Sequence, residues 1–523
     1  MLLPHTWKTN PQRLPGFFWV VTIGVIILIA LPSLWAAHYW QGEYVFGGFL
    51  FNPLDSNSYL AKMRLGWAGS WKFSLPYTAE PGESTYLFLY YLFLGQVARV
   101  SHLNLILTFH LARVAGAFLM FISMWRFFSV SLQESWLVKV AFALAALGSG
   151  MGWLASFFGA FTADLWVAEA YPFLSAYANP HFPLALAILL WVLTPFGEHS
   201  WPKGTLGRAL LTGLAGVALG VVLPFGVLIA GIVLAGLGVW QFVEGVRILK
   251  SPFLLRLAWF MVGAGLFLIY DFWIISTVPS LQDWNAQNQT PSPSPIIFVI
   301  SFFPALLFGI PGILSFLKSK NERPRVLLVW CLAGITLLYL PIGLQRRLMM
   351  GLMIPIAGLS ALGVQYLAHG NFRRQIGLAG LLFLLAVPTN LVVLLAGVHG
   401  VRIHDSLLYL TRAESRGLGW LAENAPDGAL VLAAPETGLF IPAHSSQRVI
   451  YGHPFETNQA EEMKGLVVRL FDGSAVPQDL TYVNNIDYVF FGPREAQLGE
   501  PNFLIDYDLV FQEEEVMIYQ RDE

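Results

Sequence analysis

The chain is short of cysteine and of charge. Its 523 residues include one cysteine, and only 12% are Asp, Glu, Lys or Arg. The lone Cys331 excludes an intrachain disulfide and any zinc site built on several thiolates, and it leaves the redox compartment open. Charged residues usually make up about a quarter of a soluble domain, so this chain has too little charge to solvate the surface of a soluble protein of its size. The net charge of −2 removes the electrostatic footprint of a nucleic-acid binder. The sequence holds no P-loop and no dinucleotide-binding glycine motif, which excludes the commonest nucleotide-binding signatures. It has no solenoid-type repeat, and its one low-complexity segment is the Pro-rich "NQTPSPSP".

Apolar residues are abundant instead. They make up 56% of the chain, and the mean hydropathy is +0.60. Apolar runs of about 20 residues recur, the length that crosses a bilayer as a helix. About eleven such spans are expected: 17–37, 106–127, 136–158, 182–197, 206–222, 224–243, 253–276, 296–317, 326–343, 348–367 and 376–398. Several contain Pro or Gly, which membrane helices tolerate. Lys8 and Arg13 precede the first run. That run is too long for a signal-peptide core and no small-residue cleavage site follows it, so it reads as an uncleaved anchor.

Lys and Arg in short loops set the orientation. With the N-terminus in the cytoplasm, Arg126, Lys203, Arg208, Arg247, Lys250, Arg256, Lys318, Lys320, Arg323, Arg325, Arg373 and Arg374 fall on the cytoplasmic side. The opening loop 38–105, the region 159–181, the loop 277–295, the pair Arg346–Arg347 and the tail fall on the other side. The run "TYLFLYYLFLGQVA" is decisive. Counted as a further span it would invert every later loop, and it is short, so it reads as a helix lying at the interface. The expected fold is therefore an all-α polytopic protein of the cytoplasmic membrane over residues 1–400. A small extracytoplasmic α/β domain follows over 401–523. In that domain "GALVLAAP", "QRVIYG", "DYVFFGP" and "EEVMIYQ" read as strands, and "NQAEEMKGLVVRLF" reads as a helix with Asn458 as its N-cap.

The stretch "FGGFLFNPLDSNSYLAKMRLGWAGSWKF" places Asp55, Lys62, Arg64 and Lys72 among aromatic residues just past the first span. Surface helices are expected near 58–69 and 86–99, seated by Trp, Tyr and Phe at headgroup level. Asp55 reads either as a helix N-cap or as a general base at the membrane surface. Asp164, Glu169 and His181 follow on the next outer region. They belong either to a solvated loop or to the cavity that holds Asp55. A divalent ion (Mg or Mn) on Asp55, Asp164 and Glu169 is left open, because the ligand spacing is not diagnostic. Arg346 and Arg347 in "LQRRLMM" run against the charge bias of outer loops. An anionic partner or lipid headgroups would account for them, and a guanidinium forks phosphate well. Lys62, Arg64 and Lys72 either extend that phosphate site or touch anionic lipid. Asp271 in "LIYDFW" lies near the outer end of its span, where an ionisable group is a functional suspect or a structural partner of an arginine. The polar groups of "YGHPFET" and "FGPRE" read as satisfying turns.

This order of features resembles the GT-C class of integral-membrane glycosyltransferases. It is most similar to bacterial membrane proteins with a dolichyl-phosphate-mannose protein mannosyltransferase-like (family 39-like) core. Their tails carry stretches similar to "PETGLFIPAHSSQRVIYGHPFET" and "IDYVFFGPRE". The resemblance implies transfer of a sugar from a polyprenyl-phosphate donor to a lipid, glycan or protein acceptor outside the cytoplasm. It puts the catalytic acid of the first loop at Asp55 and the second acidic position at Asp164 or Glu169. Family members often carry two adjacent acidic residues in that loop, whereas Asp55 is followed by Ser56. In such a reaction the phosphate leaves as an anion, which Arg346 and Arg347 would stabilise, while the acceptor hydroxyl needs a base. A single displacement would invert the anomeric carbon. The two other readings are a transporter or flippase of lipid-linked sugars, for which no inverted repeat is visible, and a non-catalytic membrane scaffold.

Overall fold

The computed structural model describes residues 14–40, 42–194, 204–319 and 321–522. Lys8, Arg13, Lys203, Lys320 and the end of the fourth expected span lie outside the described residues. The chain gathers into two compact units. One comprises Met1–Leu31, Leu111–Tyr270 and Thr290–Ala396, the other Pro32–His110, Asp271–Gln289 and Gly397–Glu523. This grouping cuts across a linear division at about 400, because the first loop and the tail share one unit.

Among the described residues seven helices are long and apolar enough to cross a membrane, beginning with α1 (Gly16–Tyr39) and ending with Phe372–Arg402, or eight with the bent pair as one span, against the roughly eleven spans expected. The pair Pro295–Phe302 and Ala305–Lys318 is bent by 82°, and His181–Leu193, Arg325–Leu338 and Met353–Ala368 are shorter apolar helices. Pro304 sits between the halves of the bent pair. Proline lacks an N–H and disfavours helical backbone in the residue before it. Proline also opens Pro224–Val243 and Pro295–Phe302, at first-turn positions where no N–H is needed. In the first unit, Ala305–Lys318 and Met353–Ala368 pack nearly backbone to backbone. A Cβ added at Gly312 would lie 1.9 Å from the Leu359 carbonyl oxygen. Small residues at such crossings are how membrane helices gain contact where lipid offers no hydrophobic contrast.

In the second unit the two expected first-loop helices are α2 (Pro53–Trp67) and α3 (Leu89–Ser101). They cross at Gly66 and Gly95, where an added Cβ would meet Leu92 O at 2.1 Å and Met63 O at 2.0 Å respectively. Strand β1 (Tyr44–Phe46) pairs antiparallel with β2 (Tyr409–Thr411), so the start of the loop is hydrogen-bonded to the start of the tail. The tail carries a five-stranded sheet of β3 (Leu430–Leu432), β4 (Arg448–Val449), β5 (Tyr488–Phe491), β6 (Tyr507–Glu513) and β7 (Val516–Arg521), in the order β4-β3-β5-β7-β6. β3 is parallel to β4 and β5, and β7 is antiparallel to β5 and β6. The helix Ala460–Asp472 buries Met463, Leu466, Val467 and Leu470 in a core shared with Leu432 and Val489. The residue preceding that helix is Gln459 at φ 52. Asn458, the expected cap, instead donates its side-chain amide to Ser280 O at 3.0 Å.

Candidate active site

Asp55 is the third residue of α2, after Asn52 at φ 50 and Pro53 in the first turn. It is therefore not the N-cap, and its carboxylate is held by side chains. Oδ2 accepts a hydrogen bond from Asn52 Nδ2 at 2.5 Å. Oδ1 lies 3.6 Å from His453 Nε2, a polar contact slightly longer than a hydrogen bond. His453 is buried, and its Nδ1 accepts from the backbone N–H groups of Phe455 and Glu456 at 3.1 and 3.2 Å. That fixes the tautomer, because an Nδ1 that accepts two N–H groups leaves the ring proton on Nε2, directed at Asp55. Burial raises the pKa of Asp55, yet His453, then Asn52 and Lys62, outweigh it and hold the carboxyl below its usual 3.8. The carboxyl group is crowded by these neighbours although 42% of the side-chain surface remains open. A carboxylate has about four lone-pair sites, so two partners leave room for a substrate hydroxyl.

Lys62 lies two turns along α2 on the face that carries Asp55. It is 1% exposed, donates to Glu456 Oε1 at 2.8 Å and to Ser58 Oγ at 3.1 Å, and sits 4.4 Å from the centre of the Phe88 ring. This corrects the expected role of Lys62 in phosphate or lipid contact, since the ammonium is buried and already neutralised. The "YGHPFET" segment is the element that sequence reasoning passed over. It supplies His453 to Asp55 and Glu456 to Lys62, and Thr457 N–H bonds back to His453 O at 3.1 Å to shape the turn. Its clustered polar residues, one step past a buried strand, were the available signal. Arg64 points to the other face of α2, with its Nε on Ser446 Oγ at 3.1 Å. Lys72 is exposed, 5.5 Å from the Tyr86 ring centre.

A second cluster lies in the other unit. Glu169, in the 3₁₀ turn Ala168–Ala170, places Oε1 4.0 Å from Arg346 Nε, and its carbonyl accepts from Gly351 N–H at 2.8 Å. Arg346 lies over the Trp166 ring at 4.3 Å, and Arg347 lies 5.1 Å from the Phe225 ring centre. Asp164 has a different role from the one expected. It is 0% exposed; Oδ2 accepts from the amides of Gly150 and Gly152 at 3.0 and 2.9 Å, and Oδ1 accepts from Thr162 Oγ1 at 2.6 Å. Burial pushes its pKa up against these bonds. With both oxygens engaged and no face open, Asp164 braces the "GSGMGW" turn and is not placed to act as a base or a metal ligand. His181 opens the helix His181–Leu193, buried and packed on Phe182. Asp271 is half-buried in the helix Pro252–Thr277. Among the described residues no three His, Cys, Asp or Glu side chains gather as a metal site.

No protein-family model and no curated protein matches the chain. Solved structures do match it. One is the Archaeoglobus fulgidus oligosaccharyltransferase in complex with Zn and sulfate, 16% identical, with a TM-score of 0.53 over 91% of this chain and 67% of that one. The A. fulgidus oligosaccharyltransferase AglB with an inhibitory peptide and a dolichol-phosphate matches at 16% identity and a TM-score of 0.50, over 90% or more of this chain (91%) and 70% of that one. ArnT from Cupriavidus metallidurans, bound to undecaprenyl phosphate, is 11% identical, with a TM-score of 0.53 over 97% of this chain and 98% of that one. At these identities the likeness is one of fold.

Proposed function

We propose that this chain, whose fold is that of the GT-C glycosyltransferases, is a membrane glycosyltransferase. It moves a sugar from a polyprenyl-phosphate donor to an acceptor hydroxyl on the extracytoplasmic face. The observation that carries this reading is Asp55: a part-exposed carboxylate in the first turn of a surface helix, kept ionised by His453 and Asn52 with lone pairs to spare. The dolichol-phosphate and undecaprenyl phosphate held by structures of the same fold support the donor class.

The chemistry follows from these groups. Asp55 takes the proton of the acceptor hydroxyl as its oxygen bonds to the anomeric carbon. The bond from that carbon to the phosphate oxygen breaks at the same time, and the phosphate leaves as an anion with no need of an acid. Attack opposite the leaving group inverts the anomeric centre. Arg346 and Arg347 would stabilise the departing phosphate, with Glu169 and Trp166 fixing the Arg346 guanidinium. His453 is a positioning residue that aims Asp55 and keeps it charged. No step is assigned to a divalent ion, because the oxygens of Asp164 are already taken. The Lys and Arg bias of the short loops places the N-terminus in the cytoplasm and the tail outside, and a reporter fused to the C-terminus should read extracytoplasmic.

The direct test supplies purified protein with a polyprenyl-phosphate sugar and an acceptor, and reads the anomeric configuration of the product by NMR. Inverted product is expected; no transfer, or retained configuration, contradicts the mechanism. Arg346→Ala should weaken donor binding by about 10- to 100-fold, the loss of a charge-assisted forked contact. Lys72→Ala should change it by less than about threefold. Equal effects would mean that Arg346 only touches lipid headgroups.

The pH profile tests His453. Because the Asp55 pKa is held below 3.8, the base form is lost only as pH falls through that lowered value. kcat/KM should therefore show no acid limb from neutral pH down to about pH 5. His453→Ala leaves burial less opposed, so an acid limb should move up into the measurable range, and His453→Gln should restore part of the flat profile. An unchanged profile in His453→Ala would remove His453 from its role.

A further inference from the structure

We infer that a cavity of about 540 Å³ between α2, α3 and the helix Pro435–Ser445 is a phosphate-binding site distinct from the Asp55 cluster. Two guanidiniums line it, Arg64 and Arg99, with His102 and His444, and no Asp or Glu does. It lies on the opposite side of α2 from the Asp55 network. At 3.6 residues per turn, Ser58 and Lys62 share the face of Asp55, whereas Arg64 and Trp67 fall on the other side.

The cavity is built rather than incidental. Arg64 packs 4.9 Å from the Trp67 ring centre and donates its Nε to Ser446 Oγ, which leaves the outer edge of the guanidinium for a ligand. Burial lowers the pKa of Arg64, and Asp427, which does not line the cavity, opposes that shift in part. Arg99 folds into a space that a side chain at position 69 would fill: a Cβ on Gly69 (φ +105) would lie 2.5 Å from Arg99 Nη1. His444 Nε2 is buried in the wall without a hydrogen-bond partner. Burial, with Arg64 next, pushes the imidazole down to about 4, so it is neutral at physiological pH, and its Nε2–H tautomer can donate one hydrogen bond to an oxyanion. Leu105, at the start of the helix Leu105–Leu132, gives the cavity an apolar side. Paired guanidiniums, an unpartnered imidazole nitrogen and an adjacent apolar wall match a phosphate group, either free or as a lipid headgroup.

The test uses the full chain in phosphatidylcholine nanodiscs. Inorganic phosphate is titrated by calorimetry, and retention of added phosphatidylglycerol is read by native mass spectrometry. Binding of inorganic phosphate alone assigns a free oxyanion, binding of phosphatidylglycerol alone assigns a headgroup, and either supports the site. Arg64→Gln should weaken binding about tenfold, and Arg64→Gln with Arg99→Gln by about 100-fold. His102→Glu puts a carboxylate at the exposed mouth without disturbing buried groups. It should also weaken binding at least tenfold with an unchanged unfolding temperature, so the test survives if the double variant does not fold. Absence of binding by both probes overturns the inference. So does binding that persists in Arg64→Gln and His102→Glu but is lost in Arg346→Ala. Asp55→Asn should bind both probes normally, so this site and the transferase reading fail independently.

Discussion

Asp55→Asn should lower the rate of sugar transfer by about 10²- to 10⁴-fold, the usual contribution of a general base, with the donor Kd within about twofold. Asparagine keeps the shape of the side chain and an oxygen that can face His453 Nε2, so α2 and the "YGHPFET" turn should stay in place. What it loses is the ability to take a proton from the acceptor. A variant that retains the fold and binds donor but does not transfer would separate an enzyme from a transporter or scaffold, neither of which needs a base at position 55. Transfer within about threefold of the parent would remove Asp55 from the chemistry.

The second large effect concerns stability. Lys62→Met should destabilise the protein by about 3–5 kcal/mol, because it leaves Glu456 as a buried charge without its cation. Glu456→Met should do the same by stranding Lys62. The double variant Lys62→Met with Glu456→Met should recover most of the loss, since burying an apolar pair costs less than burying one orphaned charge. Thermal unfolding of the four proteins in one detergent gives the coupling. Single variants within about 0.5 kcal/mol of the parent would mean that the pair contributes nothing to joining the first loop to the tail.

Much of the architecture was legible because the membrane imposes a strong pattern. Each expected span coincides with an apolar helix or a bent pair, and the bend falls where Pro304 interrupts the run 296–317. The two first-loop helices were legible too, although α2 begins at Pro53 rather than near 58. Four sheet strands stand where alternation placed them. β6 was missed because "YDLVFQE" interleaves charge with apolar residues on an edge, and the β1–β2 pair because three-residue strands 365 positions apart carry no local signal. The site was harder to read, for the same reason. Lys62 looked like a surface cation because its partner, Glu456, is 394 residues away. Asp164 looked like an exposed acid because its partners are backbone amides, whose direction no side-chain pattern reports. Asp55 was read as either a cap or a base, and what separates the two readings is its position within the first turn, three residues past the N-cap Asn52.

An experimental structure with a non-hydrolysable polyprenyl-phosphate sugar and an acceptor analogue tests the account most directly. The acceptor hydroxyl should lie about 3 Å from an Asp55 oxygen, on the side of the anomeric carbon opposite the phosphate. An acceptor hydroxyl and anomeric carbon out of reach of Asp55 would contradict the role of Asp55 as base.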